Sequence, residues 1–300
     1  TFGTPYRGSV QAIDYLANGC RKLIEIKVIS DLARSFTAMY QLLPIYQVLR
    51  AGGRWQRVAE TDGIPNIDRA RAADALAFHR EIEKAVEERR ATPAADAYQL
   101  IPFVGTAQDT LLSAELNGDK VTTSTDLPSW IDAGLGEGDG TVPRLSAIPI
   151  ELDDASESYL AVRHGSIQQH PQVLDDLFPR LERMQAPNLG AIRGVKAIPE
   201  VKRPSLSLDV DDIFAAGEPV VVRARVKDAA RPPQGVVARL GRADQAGRTA
   251  THPMQQADDG WRVTLEGLEP GLYRVEVQTR PGGRRAALPI QELFEVATSP

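Results

Sequence analysis

The chain has 300 residues and a single cysteine, Cys20. One cysteine excludes an intrachain disulfide. It fits a reducing, cytoplasmic compartment without excluding export. Histidine is scarce too: His79, His164, His170 and His252 are the whole set. Scattered so widely, they give none of the close spacings of a metal-ligand set, so no metal and no cofactor is expected. No apolar run reaches the ~18 residues that a membrane-spanning helix needs. A charge excess of one sign is also missing: 35 Lys and Arg stand against 40 Asp and Glu, for a net charge of -5. That balance gives no reason to expect nucleic acid or an anionic membrane surface as partner. The sequence opens at Thr1 with neither Met nor a leader pattern. Any targeting information is therefore expected to lie outside it.

What is present is the composition of a soluble globular protein, 42% apolar and 25% charged. The length allows one large or two ordinary domains. "TFGTPYRGSVQAIDYLANG" reads as a turn running into a helix, with Val10, Ile13, Tyr15 and Leu16 as its apolar face and Gly19 as its stop. "DLARSFTAMYQLLPIYQVL" reads as helical and is broken at Pro44. The clearest helix is "IPNIDRARAADALAFHREIEKAVEERRA", capped by Asn66 or Asp68, with Ala72, Leu76, Ile82 and Val86 on or near one face. "AYQLIPFVGT" reads as a buried strand. "LLSAELNGDKVTTST" reads as a hairpin turning at Asn117-Gly118. "SYLAVRHG" reads as a short strand, and "PQVLDDLFPRLERM" as a helix with Pro171 at its start.

The pattern changes near residue 187. The stretch 187–204 is rich in Pro and Gly without a clean period and reads as a linker. Beyond it, "SLSLDV", "PVVVRARVKD", "GVVARLGR", "GWRVTLEGL", "GLYRVEVQTR" and "LPIQELFEVA" alternate apolar and polar residues between turn residues. Six or seven short strands in about 100 residues predict an immunoglobulin-like β-sandwich over 205–300.

Two residues carry the chemistry. Asp139 sits in "GEGDGTVPRLSA", pinned between glycines after a run of strands. His164 follows it in "VRHGS", where a strand gives way to a loop before a helix. A carboxylate that accepts a hydrogen bond from one imidazole nitrogen leaves the other nitrogen to act as a base, and loops at strand ends let two such residues converge.

These stretches carry a resemblance. "GDGTVPRLSA" followed by "RHGSIQQHPQVLDDL" is similar to the lecithin:cholesterol acyltransferase-like branch of the α/β-hydrolases. "FGTPYRGSVQAIDYL" resembles that family's segment after the nucleophile helix, and "FTAMYQLLP" its cap. The resemblance covers roughly residues 2 to 180. It implies an α/β fold, a partial α/β-hydrolase with a helical cap over 1–186, followed by the all-β sandwich. It also implies that Asp139 is the catalytic acid, that His164 is the base, and that a lipid or other acyl ester is the substrate. Residues 35 to about 130 would hold the cap, and Met39, Tyr40, Leu42, Leu43 and Tyr46 are candidates to line an acyl pocket or to be ordinary core.

The sequence departs from the family in one respect. It contains no G-x-S-x-G elbow, and "RGSVQ" around Ser9 lacks the second glycine. The expectation is that the nucleophile, the oxyanion-hole donors and the N-terminal half of the hydrolase domain lie outside these residues. The alternative reading is a non-catalytic interaction module whose sandwich meets a protein or glycan partner. Bland readings compete at single residues: Asp139 as a turn residue, Ser9 as a cap, His79 on a helix face, His170 exposed before a helix, His252 in a β-domain loop, and Cys20 as incidental beside Arg21 and Lys22.

Overall fold

The computed structural model describes residues 1–19, 26–92, 100–149, 158–185, 204–229, 232–243, 249–280 and 286–298. Cys20, Arg21 and Lys22, and all but the last residue of the expected linker at 187–204, lie outside the described residues. The fold is mixed α/β, with mainly antiparallel sheets. The chain divides into two units. The first takes its described residues from Thr1–Val104 and Thr110–Ser158, the second from Gly105–Asp109, Tyr159–Val195 and Pro199–Pro300.

In the first unit, α1 (Val10–Asn18) starts where the Ser9 hydroxyl accepts from the Gln11 amide at 3.2 Å. It stops at Gly19, in the left-handed region at φ 80°. Its buried face is Val10, Ala12, Ile13, Leu16 and Ala17. Tyr15, expected on that face, is 38% exposed, because the turn of the helix carries it off the stripe formed by residues 10, 13 and 17. Helices α2 (Ile26–Ser35) and α3 (Thr37–Gln41) follow, so the helical stretch breaks at Phe36 and ends before Pro44 is reached. The hairpin of β1 (Leu49–Ala51) and β2 (Arg54–Gln56), turning at Gly52-Gly53, was not foreseen from the sequence.

The long helix is present as α4 (Arg69–Arg90), capped by Asp68, whose carboxylate accepts from the Arg71 amide at 3.0 Å. Asn66 is not the cap; it sits at φ 58° and donates to the Ala17 carbonyl. Ala72, Ala75 and Val86 are buried on α4, whereas Ile82 is exposed. After β3 (Phe103–Gly105), β4 (Ser113–Asn117) and β5 (Lys120–Ser124) form the expected hairpin. Its turn is Gly118-Asp119, one residue later than expected, with Gly118 at φ 62°. The sheet order is β2-β1-β4-β5, with β1 parallel to β4 and the other pairs antiparallel. Val48 and Leu49, Ala114 and Val121 bury against Val10, Ile13 and Leu16 in one core.

Phe2 pairs in parallel with Phe103 of β3, and their rings stack at 5.5 Å. β3 forms a two-stranded sheet with β6 (Ser158–Leu160). The Ser158 amide donates to Pro102 at 3.1 Å and the Thr106 amide to Leu160 at 2.7 Å. The short helix α5 (Arg144–Ala147) lies between them in sequence.

The second unit is a β-sandwich with a 3-10 helix (His164–Gln169) and α6 (Pro171–Gln185), which starts at Pro171 as expected. Its strands are β7 (Ser205–Asp209), β8 (Ile213–Phe214), β9 (Val220–Lys227), β10 (Gly235–Arg242), β11 (Thr249–Pro253), β12 (Gln255–Ala257), β13 (Gly260–Leu265), β14 (Gly271–Arg280) and β15 (Ile290–Val296). One sheet has the order β11-β10-β14-β15-β8, the other β12-β13-β9-β7. All six alternating stretches fold as strands, and β8, β11 and β12 are additional. The two inner faces share one core. Val220, Val222 and Ala224 come from one sheet, and Tyr273, Val275, Val277 and Phe294 from the other. The outer edge of β7 is also served: the buried Gln108 amide donates to Leu206 and accepts from the Leu208 amide, each at 3.0 Å.

Candidate functional site

Asp139 is 1% exposed, in the first unit. Its position follows from a tight reversal. Gly138 bridges Pro143 in antiparallel fashion, the Asp139 amide donates to Val142, and Gly140 takes φ 94°. The carboxylate closes the reversal on itself, since Oδ1 accepts from the Thr141 amide at 3.0 Å and the Val142 amide at 2.7 Å. The glycine before it is required by packing. A β-carbon on Gly138 would stand 2.2 Å from the Val142 carbonyl oxygen and 2.9 Å from Thr110 Oγ1. That same Thr110 hydroxyl accepts from the Gly140 amide at 2.9 Å. The turn reading of Asp139 is thus true of one oxygen and accounts for the glycines around it.

The segment Gly3–Ser9 closes on this loop from outside. Ser9 caps α1 and donates its hydroxyl hydrogen to the Thr141 carbonyl. Its role is therefore a cap and a brace. The Arg7 amide donates to Ser146 and its side chain to Ile148, both at 3.3 Å. On the far side, the Ser9 amide donates to Leu42 at 2.8 Å and the Ile45 amide to Arg7 at 3.2 Å. Three stretches distant in sequence, around residues 3–9, 42–46 and 138–148, meet in one knot at Asp139.

The Tyr46 hydroxyl shares a hydrogen bond of 3.0 Å with the fully buried Ser146. Burial pushes the Tyr46 phenol up to about 12, against the opposing pull of the Ser146 hydrogen bond and the Arg7 charge. Tyr46 is therefore a neutral structural hydroxyl at physiological pH. Of the other candidates for an acyl pocket, Tyr40 and Leu43 are buried core, Met39 packs against that core, and Leu42 is 36% exposed.

His164 belongs to the second unit and opens the 3-10 helix that follows β6. It is half-buried, and its neighbours are fastened to the sandwich. Arg163 forms a 2.6 Å ion pair with Glu292 of β15 and donates to the Leu208 carbonyl of β7. The Ser166 hydroxyl donates to Gln291 at 2.7 Å. Glu292 is 7% exposed and lies on the core-facing side of β15, in step with Ile290, Phe294 and Val296.

The remaining histidines stand apart from this chemistry. His79 lies on the face of α4, with Nε2 2.7 Å from the Gln41 carbonyl oxygen. His170, expected to be exposed, is half-buried; burial lowers its pKa, and Nδ1 has no hydrogen-bond partner among the described residues. His252 is in strand β11 and not in a loop. Among the described residues no three His, Cys, Asp or Glu side chains gather where a metal could bind, and no helix is long and apolar enough to cross a membrane. Thr110, Arg163 and Glu292 leave no signal in the sequence, because their partners lie 30 and 129 residues away. No family model matches this chain, and no curated protein matches its sequence.

Proposed function

We propose that Asp139 and His164 are the acid and base of a Ser-Asp-His triad that cleaves or transfers an acyl ester, with lipid as the substrate class. In this reading the nucleophilic serine comes from outside these 300 residues. His164 takes the serine proton and later returns it to the leaving group, and Asp139 holds the ring tautomer and stabilises the imidazolium. The fold that accompanies such a triad is the C-terminal part of an α/β-hydrolase domain with its cap, followed by an immunoglobulin-like sandwich.

The observation that carries the proposal is the knot at Asp139. The Gly-Thr-Pro…Gly-Ser and Gly-Asp-Gly-Thr-Val-Pro segments, on which the family resemblance rests, meet through the bond from Ser9 to Thr141, across 132 residues. A buried carboxylate held by its own backbone is a preorganised partner for a cation that forms during reaction. In chain order Asp139 comes after β5 and His164 directly follows β6.

The test expresses the full open reading frame containing these residues and measures turnover of a short-chain aryl ester and a phospholipid. His164→Ala and Asp139→Asn should each lower kcat by about 10³–10⁴. Asn keeps an oxygen that can accept from the Thr141 and Val142 amides, so its unfolding midpoint should match the parent's. The 300 residues alone should show no turnover above background, having no elbow serine. Turnover that survives both substitutions would remove the triad and leave the non-catalytic interaction module as the better account.

A further inference from the structure

We infer that Glu292, on β15 of the sandwich, is a positioning residue for His164. The inference rests on the reading of His164 as the base. Glu292 meets the residues on both sides of it. Before it, Arg163 Nε donates to Glu292 Oε2 at 2.6 Å, with the two side chains 15% and 8% exposed. After it, Gly165 lies against the same carboxylate, so that a β-carbon there would stand 2.8 Å from Glu292 Oε1. The carboxylate is itself steadied, since Oε1 accepts from the Leu293 amide at 3.0 Å. One further residue along, Ser166 is tied to the Gln291 carbonyl. A charged side chain on the core-facing side of a strand is costly to bury without a partner. Here it is paired, and its partner immediately precedes the candidate base. The sandwich is then not only an accessory surface: through Glu292 it sets where the histidine-bearing turn sits. A reacting group displaced by about 1 Å loses on the order of 10²-fold in rate.

Gly165→Ala is the diagnostic variant. Gly165 does not take a positive φ, so alanine suits its backbone, and the obstruction is the Glu292 carboxylate. The methyl group should push that carboxylate off Arg163 while every charge is kept. Glu292→Ala removes the same contact, and the double variant should be no worse than Glu292→Ala alone, because the two act through one carboxylate. Two readouts are needed. In the 300-residue chain, the His164 ring proton signals, assigned by their loss in His164→Ala, should shift or broaden in both single variants, while those of His79 stay in place. In the full reading frame, kcat per titrated serine should fall about 10–100-fold with KM unchanged. Ring signals and kcat per site that stay at parental values while only the unfolding midpoint drops would make Glu292 merely structural and overturn the inference. Ring signals that move in a protein without ester turnover would support the positioning role and overturn the hydrolase reading.

Discussion

Substituting Gly8 by alanine should injure the first unit more than the same change at any open turn glycine. Gly8 sits at φ 83°, and a β-carbon there would lie 2.4 Å from the Leu43 carbonyl oxygen, 2.5 Å from the Leu43 carbonyl carbon and 2.7 Å from the Pro44 nitrogen. All three are backbone atoms and cannot rotate away. The strands of chain cannot part without cost either, because Ser9 to Leu42 and Ile45 to Arg7 are hydrogen-bonded on either side of the contact. The left-handed conformation costs a non-glycine residue about 1–2 kcal/mol. Forcing a methyl group into a filled site adds about 1–3 kcal/mol. Gly53 is the natural control: its φ of 78° is similar, but nothing lies within 4 Å of a β-carbon there. Gly53→Ala should show the conformational cost alone. Urea unfolding followed by tryptophan fluorescence, in a Trp261→Phe background, leaves Trp55 and Trp130 of the first unit as reporters. Gly8→Ala should exceed Gly53→Ala by about 1–3 kcal/mol, a midpoint difference of roughly 1 M urea. Equal losses in the two variants would show that the close approach to Leu43 does not matter.

Two further outcomes follow from the second unit. Arg163→Ala leaves Glu292 buried without its cation and should cost about 3–5 kcal/mol, whereas Arg163→Met with Glu292→Leu should recover most of that; a loss under about 1 kcal/mol for the single change would contradict the burial of the pair. His170, whose pKa is lowered by burial, binds its proton less readily folded than unfolded, so its contribution to stability is complete above the unfolded value of about 6.5 and is lost as pH falls below it. His170→Gln should flatten the drop in urea midpoint between pH 7.5 and pH 5.5, and an unchanged slope would remove His170 as its source.

Much of the local structure could be read from neighbouring residues alone. β10 and β14 have the bounds of "GVVARLGR" and "GLYRVEVQTR", because alternation over eight or ten residues points every second side chain to one face. Asp68, Pro171 and Gly19 mark helix ends because each acts on backbone groups within a turn of itself. The three-residue strands β1 and β2 and the two-residue β8 were invisible, being too short for any period to show. Tyr15 and Ile82 were misplaced because an apolar residue beside the stripe looks the same in sequence as one on it.

For the candidate site the division is sharper. Local pattern places Asp139 in a glycine-framed reversal after strands, and His164 after a strand and before a helix. Turn and strand preferences act over a few residues, and the pattern in "GEGDGTVP" and "SYLAVRHG" is enough to express them. What surrounds each residue depends on contacts made far along the chain. Ser9 reaches Thr141 over 132 residues, and Arg163 reaches Glu292 over 129. Glu292 reads in sequence as a polar interruption of β15, and becomes a buried, paired carboxylate only once packing brings Arg163 against it. Partners so far apart leave no periodic trace, since their pairing depends on where the whole chain carries them and not on any spacing along it.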